Sequence, residues 1–222
     1  MSAELEQRAL AIGESQVGVG VYWSLRALIR TVLYPAFRLR IEGRENLAAE
    51  GPLIIAPVHR SAMDIPLVGA ASSRRLKYFA KEELFASQPN MWFLSSLGGV
   101  PVDRARADRA ALVAAISLLE QGHALVVFPE GTRQTGGEVG ELFEGAAYMA
   151  ARTGARVVPV GVGGTETLTP KRSLLPGLSR VSIVAGAPLD APSRARVERR
   201  EFTQHLREAL QEVFDRALAR SG

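Results

Sequence analysis

Short apolar runs that alternate with segments of helical periodicity are the feature that most constrains what this sequence can fold into. The runs are rich in Val, Ile and Leu, and they predict strands at 37–42, 52–58, 76–80, 99–102, 124–128, 156–161 and 180–185. Helices are predicted between and after them, at 61–71, 81–96, 107–121, 145–153 and 198–219. Strands that alternate with helices pair side by side and have both faces of their sheet covered. The sequence therefore predicts an α/β fold with a largely parallel, mixed sheet flanked by helices.

The first 35 residues are predicted to be a helical segment in front of a main domain that spans 36–222. The apolar residues of this segment recur at helical spacing and form one stripe, at Val21, Leu25, Leu28 and Val32. Arg26 and Arg30 lie on a neighbouring face. A stripe flanked by arginines is typical of an amphipathic helix in a membrane interface. A helix packed against the main domain would show the same periodicity, so both interpretations stay open.

The composition restricts the partners of the chain. Its net charge of +4 is compatible with an anionic partner, such as a phosphate group or an anionic membrane surface, and equally with ordinary solubility. Only 6% of the residues are aromatic and the basic residues are dispersed, so no nucleic-acid partner is expected. The absence of cysteine excludes disulfides, thiolate nucleophiles and cysteine-based zinc sites. The three histidines are too scattered to predict a metal site.

A histidine and a carboxylate follow the second predicted strand. His59 comes directly after Val58, and Asp64 follows five residues later. Histidine accepts a proton near neutral pH, and a carboxylate bonded to one ring nitrogen leaves the other nitrogen as the base. The spacing suits this pairing if His59 lies in the strand-to-helix turn and Asp64 in the first helical turn. A histidine bonded locally at a helix start, with Asp64 at the surface, is the alternative.

Two further motifs place polar side chains after apolar strands. Phe128-Pro129-Glu130-Gly131-Thr132-Arg133 follows one strand, and the segment Gly98–Arg104 contains another. Ligands of α/β sheets bind at the carboxyl ends of the strands, and the guanidinium fork of arginine suits phosphate. These motifs predict an anion-binding site near His59. A tight turn with an internal Glu–Arg pair, or a solvated charged loop, would give the same patterns.

The order and spacing of the motifs resemble the glycerolipid acyltransferase family, whose best-known members are the 1-acylglycerol-3-phosphate acyltransferases. The four blocks of that family correspond to His59–Asp64, Gly98–Arg104, Phe128–Arg133 and Val157–Val160. The resemblance covers residues 36–190, and the third block is matched in full. Two residues depart from the pattern. Val58 stands where the family often has asparagine, and Pro101 stands where an aromatic or aliphatic residue is common.

The resemblance implies an O-acyltransferase that moves a fatty acyl group from acyl-CoA or acyl carrier protein to the free hydroxyl of a lysophospholipid. The acceptor that it favours is 1-acyl-sn-glycerol 3-phosphate, and the product is phosphatidic acid. His59 would be the base, Asp64 would orient it, and Arg104 and Arg133 would bind the phosphate. The resemblance assigns the other substrate-binding positions to Gly98, Glu130, Gly131 and Thr132. It implies no metal and no resident cofactor.

The sequence also predicts where the chain is found. It shows no apolar run of 18 residues and no signal peptide, so we expect peripheral attachment to the cytoplasmic face of the cell membrane.

Three alternatives stay open. The acceptor could be another lysolipid or a glycolipid, or His59 could activate water and make the protein a thioester hydrolase. A non-enzymatic lipid-binding module would use Arg26, Arg30, Arg104 and Arg133 as an anion-binding surface.

Overall fold

The computed structural model describes residues 3–102, 107–168 and 180–222. Seven strands are found in these ranges: β1 (Arg40–Glu42), β2 (Leu53–Pro57), β3 (Leu76–Lys81), β4 (Gly99–Val102), β5 (Ala124–Val126), β6 (Arg156–Gly163) and β7 (Ser182–Ala185). They form one sheet in the order β1-β7-β6-β2-β5-β3-β4. All neighbouring pairs are parallel except β6 with β7, which is antiparallel. The predicted largely parallel, mixed sheet is therefore confirmed.

Helices cover both faces of this sheet. The described ranges contain α1 (Ala3–Glu14), α2 (Gln16–Leu28), α3 (Tyr34–Ala36), α4 (Asp64–Ala71), α5 (Gln88–Ser96), α6 (Ala107–Glu120), α7 (Gly145–Thr153) and α8 (Arg196–Ser221). A π-helical turn at Ile29–Leu33 joins α2 to α3, and two 3-10 turns lie at Arg44–Ala48 and Glu82–Phe85. Helices α6, α7 and α8 contact one another in series, while α2 contacts α1, α4 and α5. Parallel strands are joined by right-handed crossovers, so the opposite directions of the β3–β4 and β4–β5 connections predict that α5 and α6 lie on opposite faces.

Several element boundaries differ from the sequence interpretation: β5 ends at Val126 rather than at residue 128, and the predicted helix at 81–96 is a 3-10 turn at Glu82–Phe85 followed by α5. The first strand begins at Arg40 rather than Phe37, because the Phe37 N–H donates to the Leu33 carbonyl at 2.9 Å and extends the helical segment. Helix α4 begins at Asp64 rather than Ser61, and Met63 takes the N-cap position. The Ser61 carbonyl instead accepts from the Asp64 N–H at 3.2 Å. Residues 59–63 are therefore a turn between β2 and α4.

Two glycines of β6 let α8 lie directly against the sheet. A Cβ atom at Gly161 would stand 2.2 Å from the Val213 carbonyl oxygen, and one at Gly163 would stand 2.6 Å from that of Ala217. Side chains at these positions would push the helix off the strand. The glycines therefore serve helix packing, and they hold the carboxyl end of β6 in place.

The N-terminal helical segment packs against the main domain through a different face from the predicted stripe. Tyr22, Arg26 and Ile29 are buried, whereas Leu28 and Val32 are 54% and 52% exposed. The Arg26 guanidinium donates to the Ser73 carbonyl at 3.3 Å. The alternative in which Arg26 belongs to an exposed anion-binding surface is therefore wrong, because this guanidinium is covered by the protein and bonded to backbone.

An ion pair between a buried lysine and a half-exposed glutamate attaches the end of α1 to the sheet. The Lys77 ammonium lies 3.1 Å from a Glu14 carboxylate oxygen, and the Lys77 side chain is 4% exposed. Burial lowers the pKa of Lys77, and the Glu14 carboxylate opposes that shift. The helical segment is thus fixed by polar as well as apolar contacts.

Candidate active site

Three neighbouring strands bring the candidate residues together. Strand β2 lies between β5 and β6 in the sheet, and it is parallel to both. The carboxyl ends of these strands therefore meet at one edge. His59 follows β2, Glu130 follows β5 and Thr165 follows β6. The site is built around the central strand, where crossovers on either side leave room for a ligand.

His59 and Asp64 are paired, as the sequence interpretation requires. The His59 Nδ1 atom lies 3.2 Å from the Asp64 Oδ2 atom. The imidazole stands over the Phe128 ring with 4.1 Å between the centroids. The His59 side chain is 15% exposed, while that of Asp64 is fully buried. The Nε2 atom, at the other edge of the ring from Nδ1, is the nitrogen left for a substrate.

Asp64 is held by donors on both carboxylate oxygens. Its Oδ2 atom accepts the backbone N–H groups of Arg60 and Ser61, each at 2.7 Å. Its Oδ1 atom accepts the Thr165 hydroxyl at 2.6 Å. An ionised carboxylate can only accept hydrogen bonds, so the His59 Nδ1 atom that faces it is the donor and carries the hydrogen. The Nε2 atom then carries the free electron pair. The arrangement is that of an oriented general base.

The Glu130 carboxylate stabilises the turn that carries His59 and Arg60. It forms two bonds with the Arg60 Nη1 atom, at 2.8 and 3.1 Å, and both side chains are buried. It also accepts the backbone N–H of His59 at 3.0 Å and that of Gly140 at 3.2 Å. The position of Glu130 in the site is therefore an internal one, and it shapes the site through the turn that carries His59.

Arg60 is a residue of the site that the sequence interpretation missed. Its guanidinium also donates to the carbonyls of Gly136 and Glu138, at 3.1 and 2.9 Å, and it lies 4.7 Å from the centre of the Phe214 ring. It connects the turn after β2 with the loop after β5 and with α8. The sequence signal for Arg60 was its position next to His59. The groups that its guanidinium connects to the turn lie about 70 residues away or more in the sequence.

The loop after β5, which carries Arg133, is bonded to the turn that carries His59. Gly131 has a φ of +71°, in the left-handed region that favours glycine, and turns the chain back. The N–H of Gln134 then donates to the His59 carbonyl at 2.8 Å. Thr132 and Arg133 are exposed beside this bond. An exposed guanidinium one residue from the backbone contact to His59 is well placed for an anionic ligand.

The predicted Gly98–Arg104 block is only partly described. Gly98 precedes the amino end of β4, three strands from β2, which is roughly 14 Å at the usual strand spacing. The structure therefore does not bring Gly98 together with His59. Strand β4 ends at Val102, which is in register with Lys81, the last residue of β3, at the carboxyl edge of the sheet. Arg104 lies outside the described residues.

The described ranges contain no group of three or more His, Asp or Glu side chains that could hold a metal ion. The chemistry that the site can perform is removal of a proton by His59 next to a binding place for an anion. A hydroxyl group attached to a phosphate-bearing molecule fits both features.

A comparison with known protein families shows to which family the chain belongs. A family model described as acyltransferase matches residues 38–163, which is more than half of the chain. The chain belongs to the acyltransferase family. The matched range includes His59, Asp64 and the loop after β5, so the family resemblance inferred from the motifs is confirmed.

Named relatives agree with this assignment. The chain is 33% identical over 144 residues to a chloroplast 1-acyl-sn-glycerol-3-phosphate acyltransferase of Arabidopsis thaliana, a match that covers 64% of the chain and 40% of the relative. It is 28% identical over 173 residues to a 1-acyl-sn-glycerol-3-phosphate acyltransferase of Bacillus subtilis, covering 78% and 84%. The chain thus spans less than half of the plant acyltransferase and most of the bacterial one.

A solved structure of the family has the same fold. The crystal structure of the 1-acyl-sn-glycerophosphate acyltransferase PlsC from Thermotoga maritima superposes with a TM-score of 0.66 at 31% sequence identity. The superposition covers 80% of this chain and 71% of the other. The mixed sheet and its flanking helices are therefore shared with an acyltransferase of known structure.

Proposed function

We propose that this protein is an O-acyltransferase that transfers a fatty acyl group from acyl-CoA or acyl carrier protein to 1-acyl-sn-glycerol 3-phosphate. The observation that carries the proposal is the His59–Asp64 pair, 3.2 Å apart. The loop bonded to the His59 carbonyl adds an exposed arginine, Arg133. A base fits the free hydroxyl of the acceptor, and an arginine fits its phosphate. The names of the relatives support the same acceptor.

His59 carries out the proton transfer in this proposal. Its Nε2 atom takes the proton of the acceptor hydroxyl while the oxygen attacks the thioester carbonyl carbon. Asp64 keeps the imidazole in orientation and stabilises the positive charge that develops on it. The attack forms the new carbon–oxygen bond. Collapse of the tetrahedral intermediate restores the carbonyl and breaks the carbon–sulfur bond, and the proton on His59 then passes to the thiolate or to solvent. The thiol has a pKa of about 8.5, so it leaves as thiolate with little need of a protein acid.

Arg133, together with Arg104, binds the phosphate of the acceptor in the proposal. Replacing Arg133 by alanine is expected to raise KM for 1-acylglycerol 3-phosphate by about tenfold to a hundredfold, since a hydrogen bond to a charged group contributes roughly 1.5–3 kcal/mol. The value of kcat and the KM for the acyl donor are expected to change little. Steady-state kinetics on purified protein measure all three quantities. Arg152→Ala, at an exposed arginine in the last turn of α7, is the matched control and leaves KM unchanged.

The assay that tests the function combines a panel of acyl-CoA and acyl carrier protein thioesters with lysophosphatidate, other lysolipids and glycolipids. Products are identified by mass spectrometry. Phosphatidic acid as the main product supports the proposal. Free fatty acid without ester formation would show a thioester hydrolase, and consumption of thioester only with another acceptor would reassign the substrate.

Attachment to a membrane through the N-terminal segment is part of the same proposal. Every exposed residue between positions 16 and 36 is uncharged, including Trp23, Leu28 and Val32. Neighbouring α5 adds Trp92 and Phe93, which are 40% and 48% exposed. In the described chain, none of the helices combines the length and the apolar character required to cross a membrane. Such a surface suits shallow insertion into the interface of a bilayer that contains the lipid substrates.

The double substitution Leu28→Asp with Val32→Asp is expected to lower binding to phosphatidylglycerol vesicles more than tenfold. Each side chain loses roughly 1.5–3 kcal/mol of burial in the interface. Sedimentation with vesicles measures the bound fraction. Val113→Asp on α6 changes an equally exposed residue, 63% exposed, on the opposite face and is expected to leave binding unchanged. Equal losses in both variants would contradict attachment through α2.

A further inference from the structure

We propose that Thr165 is a positioning residue for the His59–Asp64 pair, and that its hydroxyl sets the rotation of the Asp64 carboxylate. The inference rests on the proposed function, because it assigns a role to the pair that His59 and Asp64 form. The Thr165 hydroxyl donates to the Asp64 Oδ1 atom at 2.6 Å. It acts through Asp64.

The geometry shows why the hydroxyl matters. The Asp64 Oδ2 atom receives its bonds from the turn after β2, whereas Oδ1 is bonded by Thr165 from the neighbouring strand end at 2.6 Å. A carboxylate rotates about its Cβ–Cγ bond. Donors on opposite sides fix that rotation, so that Oδ2 stays directed at the Nδ1 atom of His59. Thr165 and Asp64 are both fully buried, and a lost partner there is not simply replaced by bulk water.

The fold holds the Thr165 backbone in place independently of this bond. Strand β6, which precedes Thr165, pairs with β2 in the sheet. Helix α8 packs closely against β6 at Gly161 and Gly163, so this strand has little room to move. The Thr165 carbonyl accepts the N–H of Leu168 at 3.2 Å and closes a turn. The hydroxyl is therefore presented from a rigid support, 101 residues away in the sequence from the carboxylate that it orients.

The first test separates the hydroxyl from the shape of the side chain. Thr165→Val keeps the volume of the side chain and removes the hydrogen-bond donor. It is expected to lower kcat about tenfold, which corresponds to ~1.4 kcal/mol in the activation free energy. The KM for either substrate is expected to change less than about threefold. Thr165→Ser restores the donor and is expected to recover kcat to within about threefold of the parent. Thr167→Val is the matched control, because that hydroxyl donates to the Gly164 carbonyl at 2.9 Å. Equal kcat values in Thr165→Val and the parent would overturn the proposal, and so would a serine variant as slow as the valine variant.

The second test does not depend on turnover. The titration of the His59 ring is followed by NMR, with the His59 signal assigned by its loss in His59→Gln. Thr165→Val is expected to move this titration to lower pH, because a rotated carboxylate stabilises the imidazolium less well. The charged groups near the ring and its turn, Asp64, Arg60 and Glu130, remain present in both proteins. The shift is expected to vanish when Asp64→Asn is added, since the hydroxyl acts through that carboxylate.

The outcomes distinguish the inference from the function on which it rests. A parent protein that makes no phosphatidic acid but shows the Asp64-dependent shift would refute the proposed acceptor and leave the positioning role supported. A parent that transfers acyl groups normally, with a His59 titration unchanged in Thr165→Val, would refute the positioning role alone. A shift to higher pH would mean that the hydroxyl only screens the carboxylate charge, which also overturns the proposal.

Discussion

Replacing His59 by alanine is expected to lower kcat for acyl transfer by about 10²- to 10⁴-fold, the range that a positioned general base contributes. The acceptor hydroxyl then keeps its proton during attack on the thioester. Binding of both substrates is expected to persist, because the phosphate contact and the acyl site do not involve the imidazole. Initial rates of phosphatidic acid formation, with both substrates at saturation, measure the effect.

The folded structure is expected to survive this substitution. The backbone of His59 is bonded to the rest of the site through its N–H to Glu130 and its carbonyl to Gln134, independently of the imidazole contacts with Asp64 and Phe128. The two backbone bonds remain available to alanine. Circular dichroism and thermal unfolding check the fold, and His205→Ala, at an exposed histidine in α8, is the matched control. Turnover within tenfold of the parent in a folded His59→Ala protein would contradict the assignment of the base.

Replacing Glu130 by glutamine is expected to destabilise the protein by about 3–5 kcal/mol, the usual cost of breaking a buried ion pair from one side. The Arg60 side chain, 1% exposed, would keep its charge without the carboxylate 2.8 Å away. Glutamine also loses part of the acceptor capacity that the His59 and Gly140 N–H groups use. For a domain of this size the melting temperature falls by roughly 2–4 °C for each kcal/mol. Thermal and urea unfolding measure both quantities.

A second ion pair of the same charge type supplies the control. Glu144 and Arg200 lie 3.3 Å apart, but their side chains are 42% and 60% exposed. Glu144→Gln is expected to change the free energy of unfolding by less than about 1 kcal/mol, because exposed pairs contribute little. Equal effects of Glu130→Gln and Glu144→Gln would contradict the structural role of the buried pair. A loss of acyl transfer in Glu130→Gln under conditions where it is folded would further show that the turn carrying His59 depends on this support.

The sequence alone was sufficient for the features that depend on local pattern. The parallel, mixed sheet follows from apolar runs separated by helical segments. The pairing of His59 with Asp64 follows from a strand end, a short turn and a helix start, all within six residues. The loop that carries Arg133 was predicted to lie at the same edge as His59, because neighbouring parallel strands present their carboxyl ends there. Periodicity and chain direction determine these relations, so no distant contact has to be known.

The tertiary structure decided whatever depends on which distant segments become neighbours. Arg60 pairs with Glu130 across 70 residues, and Thr165 reaches Asp64 across 101. Arg26 and Arg30 of the N-terminal segment proved to face the protein, because the sequence pattern of a helix leaves open which of its faces is packed. Gly98 belongs to the expected motif order but stands three strands from β2. A single sequence records which groups exist, while the crossovers of the sheet determine which of them share a buried, low-dielectric site where one hydrogen bond can fix the orientation of a side chain.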